Sequence, residues 1–510
     1  MATKRKSLPK LKSSLRHIPE CGYVPMSIVQ DTPFVDGYTD EELANRNVSV
    51  YSHMVHNRYN SDPTGKMSKN DRLAKEHWYL NNTVSQWNVA VEVGTRISGP
   101  DAEKFANMLT SQDLTKCSPG QGKYTPILNN AGGMINDPVM YRLGEQEFLF
   151  TSSDSDMQRI AEDFLDGLRA GGMELDATVD MPDVGMIQVQ GPRAIDVMRD
   201  LLGEEDFMSD ERYIPYYWFT ECVKEDGKYT PAPGSKVWRE VRLPSGGVAE
   251  IATPRTGFSR LPGFETIVRD VSNVGAEFWK TLLAVVRKHG GDHIGPGHTT
   301  RIPGGILSFG NDMTRDGKTT PVEVYTDDNQ LNRIVPASKE AWYRGKEAIA
   351  RMRAEGPQRR LVGIRIMGEP LGWYNDGSMS RNWQVYDRQD VVMLPSGTTV
   401  RDDGLVYYAN GRAFRDSTGD QLTKLQAVQI DFGRPDLLGR VYVLPETSEK
   451  LGDVTSACWS PENEINIARG FVPTELSDIG THLTVRTEWG LRDAVVVPMP
   501  YVPEKVSFDK

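Results

Sequence analysis

Residues 122–139 have the sequence GKYTPILNNAGGMINDPV. Two short strand-like segments flank a turn rich in Asn and Gly, a pattern that is typical of a β-hairpin. Asp137 follows the apolar Met134-Ile135 and precedes Pro138-Val139, where an unpaired carboxylate is costly unless it bonds a ligand or a backbone donor. The stretch therefore predicts a hairpin that carries Asp137, either as a functional residue or as an aspartate that satisfies the turn.

Residues 255–267, with the sequence RTGFSRLPGFETI, form a second informative stretch. A loop containing Gly and Pro leads into a predicted strand that carries Glu265 between Phe264 and Ile267. A carboxylate at this position can accept two parallel hydrogen bonds from an amidine-like edge such as that of a pterin. The alternative is a surface glutamate on an edge strand.

From Asp31 to about Ala350, helical and strand-like patterns alternate without a βαβ rhythm, which favours an α+β fold with mostly antiparallel sheets. We expect helices at Asp101–Leu109, Asp154–Ala170 and Gly275–His289, and strands at Glu147–Thr151, Val184–Gln190 and Gly247–Thr253. The sequence contains no phosphate-binding loop, no dinucleotide-binding glycine fingerprint and no nucleophile elbow. Phosphate-cradling and serine hydrolase chemistry therefore have little support.

A different pattern begins near residue 350. A charged helix is predicted over Gly345–Glu355, and Gly356-Pro357 ends it at a domain boundary. Strand patterns then recur at short intervals, at Leu361–Ile366, Val391–Leu394, Gly404–Tyr408, Ala427–Phe432, Val454–Ser456, Leu483–Arg486 and Ala494–Val497. This rhythm predicts an all-β sandwich or barrel. We therefore divide the chain into a basic, poorly ordered tail (1–30), an α+β region of two interleaved domains (31–350) and a β-domain (351–510).

The composition limits the partners of this chain. Its 510 residues carry 59 Lys and Arg against 70 Asp and Glu, a formal net charge of -11 that argues against general nucleic-acid binding. No apolar run approaches the roughly 18–20 residues that span a bilayer. We expect a cytoplasmic protein with a small-molecule substrate and neither a nucleic-acid nor a membrane partner, and we leave a homodimer open.

The cysteines and histidines are scattered along the chain. The cysteines form no paired motif, and no histidine spacing suggests a ligand set, so neither a disulfide framework nor a metal site is predicted. The basic N-terminal residues lack the apolar stretch of a secretory signal. Pro9 interrupts the amphipathic helix that a transit peptide needs, which favours a solvated tail over a targeting segment.

Further landmarks accompany the two stretches in order along the chain: DTPF (31–34), VYSHM (50–54), WNVAVE (87–92), ISGPDA (97–102), DSD (154–156), VQGP (189–192), RIPGGILSFGNDM (301–313) and VTSACWSP (454–461). With these landmarks the chain resembles the folate-dependent aminomethyltransferase family, whose founding member is the glycine cleavage T-protein. Within the family it looks nearest to the tetrahydrofolate-dependent dimethylsulfoniopropionate demethylase and O-demethylase branch. The resemblance implies tetrahydrofolate as cofactor and three domains in a clover-leaf arrangement around a central folate channel, the last domain a β-barrel.

The resemblance also implies roles for individual residues. Asp137 matches the family's aspartate near the reacting pterin nitrogen, and Glu265 matches the carboxylate that holds the pterin edge. Tyr124 matches a tyrosine that lines the folate pocket, where it could also act in catalysis. Tyr51 and Glu92 match residues near the methyl donor in the demethylase branch.

Aromatic residues and departures from the family pattern bear on the substrate. Trp218, next to Tyr216-Tyr217, could help surround an onium donor through cation–π contacts, with core packing as the alternative. Phe258 in the cofactor-binding loop and Ile267 stand where the sulfoniopropionate demethylases have Trp and Tyr. Residues 295–300 lack the arginine of the corresponding T-protein loop, and residues 368–450 look inserted relative to the demethylases.

The predicted function is methyl transfer from a small S-, O- or N-methylated compound to N5 of tetrahydrofolate, giving 5-methyltetrahydrofolate by in-line displacement. One alternative is an aminomethyltransferase of the glycine-cleavage type. Another is a folate-binding protein without catalytic activity. A subunit of an oxidative demethylase would need flavin from a partner chain, because no dinucleotide fingerprint is present.

Overall fold

The computed structural model describes residues 15–18, 22–25, 69–89, 92–153, 157–294, 298–308, 312–313, 324–372 except 333 and 337, 383–388, short segments between 392 and 445, 448–487 and 490–501. The chain divides into two compact units. The first comprises Met1–Gly297 and Leu331–Arg351, and the second His298–Gln330 and Met352–Lys510. The domain boundaries given above stay predictions.

The first unit combines helices and strands. Its helices are α1 (Lys69–Asn82), α2 (Ala102–Leu109), α3 (Met157–Ala170), α4 (Ala194–Leu202) and α5 (Val271–Lys288). Its strands are β1 (Leu15–Ile18), β2 (Gly22–Pro25), β3 (Ser85–Asn88), β4 (Glu92–Ser98), β5 (Gly122–Tyr124), β6 (Ile127–Leu128), β7 (Met134–Asn136), β8 (Val139–Gly144), β9 (Glu147–Ser153), β10 (Thr178–Asp180), β11 (Val184–Gln190), β12 (Cys222–Glu225), β13 (Lys228–Pro231), β14 (Arg239–Arg242), β15 (Val248–Ala252), β16 (Gly263–Arg269) and β17 (Asp292–His293).

Most of these strands belong to two sheets, as far as the described residues go. A five-stranded sheet has the order β10-β4-β9-β8-β5, and a six-stranded sheet has the order β14-β15-β16-β11-β3-β17. Neighbouring strands are antiparallel except β17, which runs parallel to β3. The predicted α+β class with mostly antiparallel sheets is confirmed.

The predicted hairpin over residues 122–139 is present, but it is interrupted. β6 pairs with β7 next to the turn, and β5 pairs with β8 farther out. Pro126 and Pro138 lie in the gaps, because proline has no N–H to continue a ladder. Thr125 bridges the gap by donating both its backbone N–H and its hydroxyl to the carbonyl of Pro138, each at 2.8 Å. The interruption leaves Asp137 between two strands, outside either ladder.

α2 and α5 show how burial sets the helices. The apolar residues of α2 recur at helical spacing and form one fully buried face, which consists of Ala102, Phe105, Ala106 and Leu109. α5 begins at Val271, four residues before the start that Gly275 suggests. Val271 is buried in the core, and this packing offsets the cost of about 1 kcal/mol for a glycine inside a helix.

Successive side chains of a strand alternate between its two faces, so β11 has one apolar face and one face that carries both glutamines of the strand. Ile187 and Val189 lie in the hydrophobic core with residues of α5, including Phe278 and Trp279. The opposite face carries Met186, Gln188 and Gln190. On that side, Met186 shares a second cluster with Tyr141 and Leu149 of the five-stranded sheet. Polar side chains are therefore buried where the two sheets of the first unit face each other, an arrangement that commonly marks a functional site.

The second unit is dominated by strands. Its helix α6 spans His298–Gly304, and α7 (Lys346–Glu355) contains the point where the chain leaves the first unit for the second. Its strands are β18 (Arg359–Ile366), β19 (Gln384–Asp387), β20 (Val392–Met393), β21 (Thr399–Val400), β22 (Val406–Tyr407), β23 (Leu425–Gln429), β24 (Tyr442–Pro445), β25 (Gly452–Ser460), β26 (Ile465–Pro473), β27 (His482–Thr487) and β28 (Gly490–Val497).

The second unit contains a closed barrel with the strand order β18-β26-β25-β19-β27-β28. β28 pairs back with β18, so the barrel has no free edge. The predicted all-β barrel is confirmed. Strand β19 of this barrel lies within residues 368–450, the segment predicted to be inserted. No helix in the described parts of the chain is long and apolar enough to cross a membrane.

Candidate active site

Glu265 lies in the middle of β16, a strand of the six-stranded sheet that is buried along nearly its whole length. The pairing register places Gln188 of β11 directly opposite Glu265, so both side chains are on the same face of the sheet. Glu265 is only 5% exposed. The alternative of a surface glutamate on an edge strand therefore does not apply.

Three donors converge on the carboxylate of Glu265. Nε2 of Gln188 donates to Oε1 at 2.6 Å, and the hydroxyls of Tyr141 and Thr256 both donate to Oε2 at 2.6 Å. These bonds offset the cost of burying a charge. A carboxylate offers about four acceptor positions, so these three donors do not use its full acceptor capacity.

The buried surroundings shift the pKa values of this group. Burial raises the pKa of the Glu265 carboxyl, while the hydrogen bonds from Thr256 and Tyr141 lower it in part. Burial, followed by the charge of Glu265, raises the pKa of the Tyr141 phenol well above its usual range. Tyr141 therefore stays a neutral hydroxyl donor at any pH at which the protein would work.

The loop that precedes β16 is attached to β11 by two glutamines. The backbone N–H of Phe258 donates to Oε1 of Gln188 at 3.1 Å. Nε2 of Gln190 donates to the carbonyl of Thr256 at 2.9 Å, and the Ser259 hydroxyl donates to its Oε1 at 2.7 Å. Gly263 lets the chains approach, since a Cβ there would lie 2.4 Å from Nε2 of Gln190.

Asp137 and Tyr124 lie together at the interruption in the hairpin. Tyr124 is the last residue of β5, and its hydroxyl donates to Oδ2 of Asp137 at 2.8 Å. The backbone N–H of Asp137 donates to Oδ1 of Asn136 at 2.7 Å. Both predicted side chains are partly exposed, so they can meet a ligand without a rearrangement of the sheet.

The side chains form two sets: Asp137 with Tyr124, and the Glu265 group, which is Glu265 with Gln188, Tyr141 and Thr256. Residues near them interact electrostatically with both carboxylates. Burial first, and then the charges of Glu265 and Asp137, raise the pKa of the Glu92 carboxyl well above its usual range. Burial, Tyr216 and the same two carboxylates raise the pKa of the Tyr217 phenol. Strand β8 gives the geometric link between them: its Tyr141 donates to Glu265, and its Val139 pairs with Tyr124, whose hydroxyl donates to Asp137.

The aromatic residues 216–218 differ in their surroundings. Tyr216 is 54% exposed and meets Tyr217 edge-on, with ring centroids 4.7 Å apart. Tyr217 has a φ of 67°, an unusual value for a bulky residue and one that tends to occur at functional sites. Trp218 is buried in the hydrophobic core of the six-stranded sheet.

The remaining predicted residues have different positions. Glu92 is the first residue of β4 and retains partial exposure. Phe258 is partly buried against the cluster that contains Tyr141. Tyr51 lies outside the described residues. The structure thus brings Asp137, Tyr124, Glu92 and Glu265 into one region, with Phe258 at its edge.

Gln188, Tyr141 and Thr256 complete the Glu265 group, although sequence reasoning did not select them. The sequence does contain a pattern that could have indicated Gln188. In residues 184–190, VGMIQVQ, the buried apolar Ile187 and Val189 alternate with two glutamines on the other face of the strand. Tyr141 carries no comparable signal, since it lies 124 positions from Glu265 and meets it only through the packing of two sheets. Within the described residues, no group of three or more His, Cys, Asp or Glu is arranged to hold a metal ion.

Two parts of the chain match domains of the glycine cleavage T-protein. Residues 40–228 match the GCVT N-terminal domain, and residues 424–502 match the glycine cleavage T-protein C-terminal barrel domain. The dimethylsulfoniopropionate demethylase of Ruegeria pomeroyi is 29% identical over 68% of this chain and 80% of its own length. An aminomethyltransferase of Corynebacterium aurimucosum is 28% identical over 58% of this chain and 71% of its own length.

A solved structure supports the fold. The glycine cleavage system aminomethyltransferase T of Bartonella henselae superposes with a TM-score of 0.54, at 18% identity, over 84% of this chain and 89% of its own. The two domain matches together cover more than half of the chain. The buried acceptor of Glu265 and the aromatic side chains around it fit the amidine edge and flat ring of a pterin. The family matches confirm tetrahydrofolate, the cofactor expected from the sequence, and the chain belongs to the glycine cleavage T-protein family.

Proposed function

We propose that this protein transfers a methyl group from a small S-, O- or N-methylated compound to N5 of tetrahydrofolate, giving 5-methyltetrahydrofolate. The observation that supports the proposal best is that strand β8 connects a buried acceptor with a second carboxylate, because its Tyr141 donates to Glu265 and its Val139 pairs with Tyr124, whose hydroxyl donates to Asp137. Binding alone would require the acceptor. A second carboxylate held by Tyr124 adds a group that can act on a reacting atom.

In this proposal Glu265 accepts a hydrogen bond from the pterin edge and so orients the ring. Tyr141, Thr256 and Gln188 hold the carboxylate in one rotamer, which limits the entropy lost on binding. Tetrahydrofolate, when bound, supplies the nitrogen that accepts the methyl group. Asp137 stabilises the positive charge that develops on this nitrogen as the bond to the methyl carbon forms, and it is a suitable acceptor for the proton that is then lost.

The donor decides whether a general acid is needed. A sulfonium donor leaves as a neutral thioether that keeps the electron pair of the broken C–S bond and takes no proton. A phenolate or amine leaving group must be protonated. Tyr124 and the carboxyl of Glu92, whose acidic form persists to a higher pH than that of an ordinary glutamate, can supply this proton.

The test is to incubate the purified protein with tetrahydrofolate and a panel of methylated sulfonium, aryl ether and amine donors, and to identify the folate product. Formation of 5-methyltetrahydrofolate supports the proposal. Formation of 5,10-methylenetetrahydrofolate from an aminomethylated lipoyl carrier would instead establish the glycine-cleavage reaction, which the aminomethyltransferase relatives favour. Tight folate binding without any product would indicate a binding protein.

A further inference from the structure

Gln188 is a buried residue that links the carboxylate of Glu265 to the backbone of Phe258. Its side chain is fully buried on β11, and its amide uses both polar atoms, one as a donor and one as an acceptor. Nε2 donates to Oε1 of Glu265 at 2.6 Å, and Oε1 accepts from the backbone N–H of Phe258 at 3.1 Å. One side chain therefore joins the carboxylate to the loop that precedes its own strand.

The direction of these bonds is determined by their partners. A backbone N–H can only donate, so the amide oxygen of Gln188 must face Phe258, and the amide nitrogen must then face Glu265. The other oxygen of Glu265 is taken by Tyr141 and Thr256. The carboxylate is consequently held from both sides, and only Oε1 has a single internal donor.

We propose that Gln188 is a positioning residue for tetrahydrofolate, acting by holding the Glu265 carboxylate and the Phe258 backbone in one arrangement. This inference rests on the proposed role of Glu265 toward the pterin edge. Without the amide, Oε1 has no internal donor and the carboxylate can rotate away from the orientation that a planar partner requires. The Phe258 N–H also loses its acceptor, which loosens the loop next to the ring site.

Gln188→Leu removes both bonds and keeps nearly the same volume. Gln86→Leu is a matched control, because Gln86 is equally buried on the adjacent strand β3 and bonds the carbonyl of Trp279 at 3.2 Å. The register pairs Gln86 with Val189, so its side chain lies on the opposite face of the sheet from Glu265. The control therefore reports the general cost of removing a buried amide from this sheet.

The measurement is calorimetric titration of each folded variant with tetrahydrofolate under anaerobic conditions, alongside thermal unfolding. We expect Gln188→Leu to weaken binding about tenfold, as for the loss of a bond to a charged group, and Gln86→Leu to change it less than twofold. Equal effects of the two variants on binding would overturn the inference.

A double-mutant cycle separates positioning from a structural role. If Gln188 acts through Glu265, then Gln188→Leu weakens binding no further once Glu265→Gln has removed the carboxylate, and it also removes the contact between two amide NH₂ groups that Glu265→Gln creates. Additive losses would mean that Gln188 acts independently of Glu265 and would also overturn the inference. The proposed function is judged separately: a chain that shows this cycle with tetrahydrofolate but methylates no folate retains the role of Gln188 and loses methyl transfer.

Discussion

Replacement of Glu265 by Gln is the most informative single change, because it removes the charge and leaves the shape. Glu265→Ala would leave the donors of Gln188, Tyr141 and Thr256 without an acceptor and would confound binding with folding. In Glu265→Gln, one amide oxygen can still accept from the two hydroxyls. The new NH₂ then faces the NH₂ of Gln188, which cannot rotate without turning a donor toward the Phe258 N–H.

The expected loss has two parts. A hydrogen bond to a charged acceptor contributes about 1.5–3 kcal/mol, so tetrahydrofolate should bind roughly 10- to 150-fold more weakly. The unfavourable contact between two donors should lower the free energy of unfolding by about 1–3 kcal/mol. Since the raised pKa of Glu265 brings its protonation closer to neutrality, the affinity difference between wild type and variant should be largest at high pH and shrink as the pH falls through that pKa.

Isothermal titration of the folded variant at several pH values tests this reasoning. Glu250→Gln is the control, because Glu250 is a half-exposed glutamate on the adjacent strand that pairs only loosely with Arg269, at 3.6 Å. We expect the control to bind tetrahydrofolate like the wild type. Unchanged affinity in a folded Glu265→Gln protein would refute the assignment of this residue to the pterin edge.

Three further predictions address the reaction, the electrostatics and the donor. Asp137→Asn should lower the methyl-transfer rate at least ~100-fold with folate affinity within several-fold, and parallel losses of rate and affinity would instead make Asp137 an anchor for folate. The pKa of Glu92 in the folded protein is above 4.5, so the native state binds a proton more readily than the unfolded state does. The free energy of unfolding of the wild type relative to Glu92→Gln, measured with urea, should therefore fall as the pH rises from about 4.5 through the folded pKa. A difference between the two proteins that does not change with pH would contradict the burial of this carboxyl. Dimethylsulfoniopropionate should be a poor donor, because Phe258 and Ile267 stand where the sulfoniopropionate demethylases have aromatic residues, and each such change is worth on the order of 1 kcal/mol. The highest kcat/KM for this compound in a competition assay with methoxylated aromatics and N-methylated amines would exclude this view.

Local sequence patterns were sufficient for much of the secondary structure. β11 has the predicted bounds Val184–Gln190, and α2 begins within one residue of its predicted start. Both elements carry a strong alternation or helical periodicity, and their limits depend on neighbouring residues. The hairpin over residues 122–139 was predictable for the same reason, since its turn and its two proline interruptions are local.

Local patterns did not show where α5 begins or that β19 is a strand of the barrel. Packing of Val271 extends α5 beyond the glycine that suggested its start. β19 has only four residues and becomes a barrel strand because β25 and β27 pair with it from distant parts of the chain. Burial and long-range pairing contribute more free energy than the propensity of any one residue, so tertiary contacts decide such elements.

The candidate site divides in the same way. The chain by itself drew attention to Asp137 and Glu265 as carboxylates in apolar, strand-like contexts, but it left a structural role open for each, and the family resemblance supplied their functional roles. Only the tertiary structure brought Tyr141 and Gln188 to Glu265, across 124 and 77 positions of sequence. Register and the packing of two sheets determine those contacts, and both are properties of the folded chain, since a strand's own residues do not specify which partner will lie opposite them.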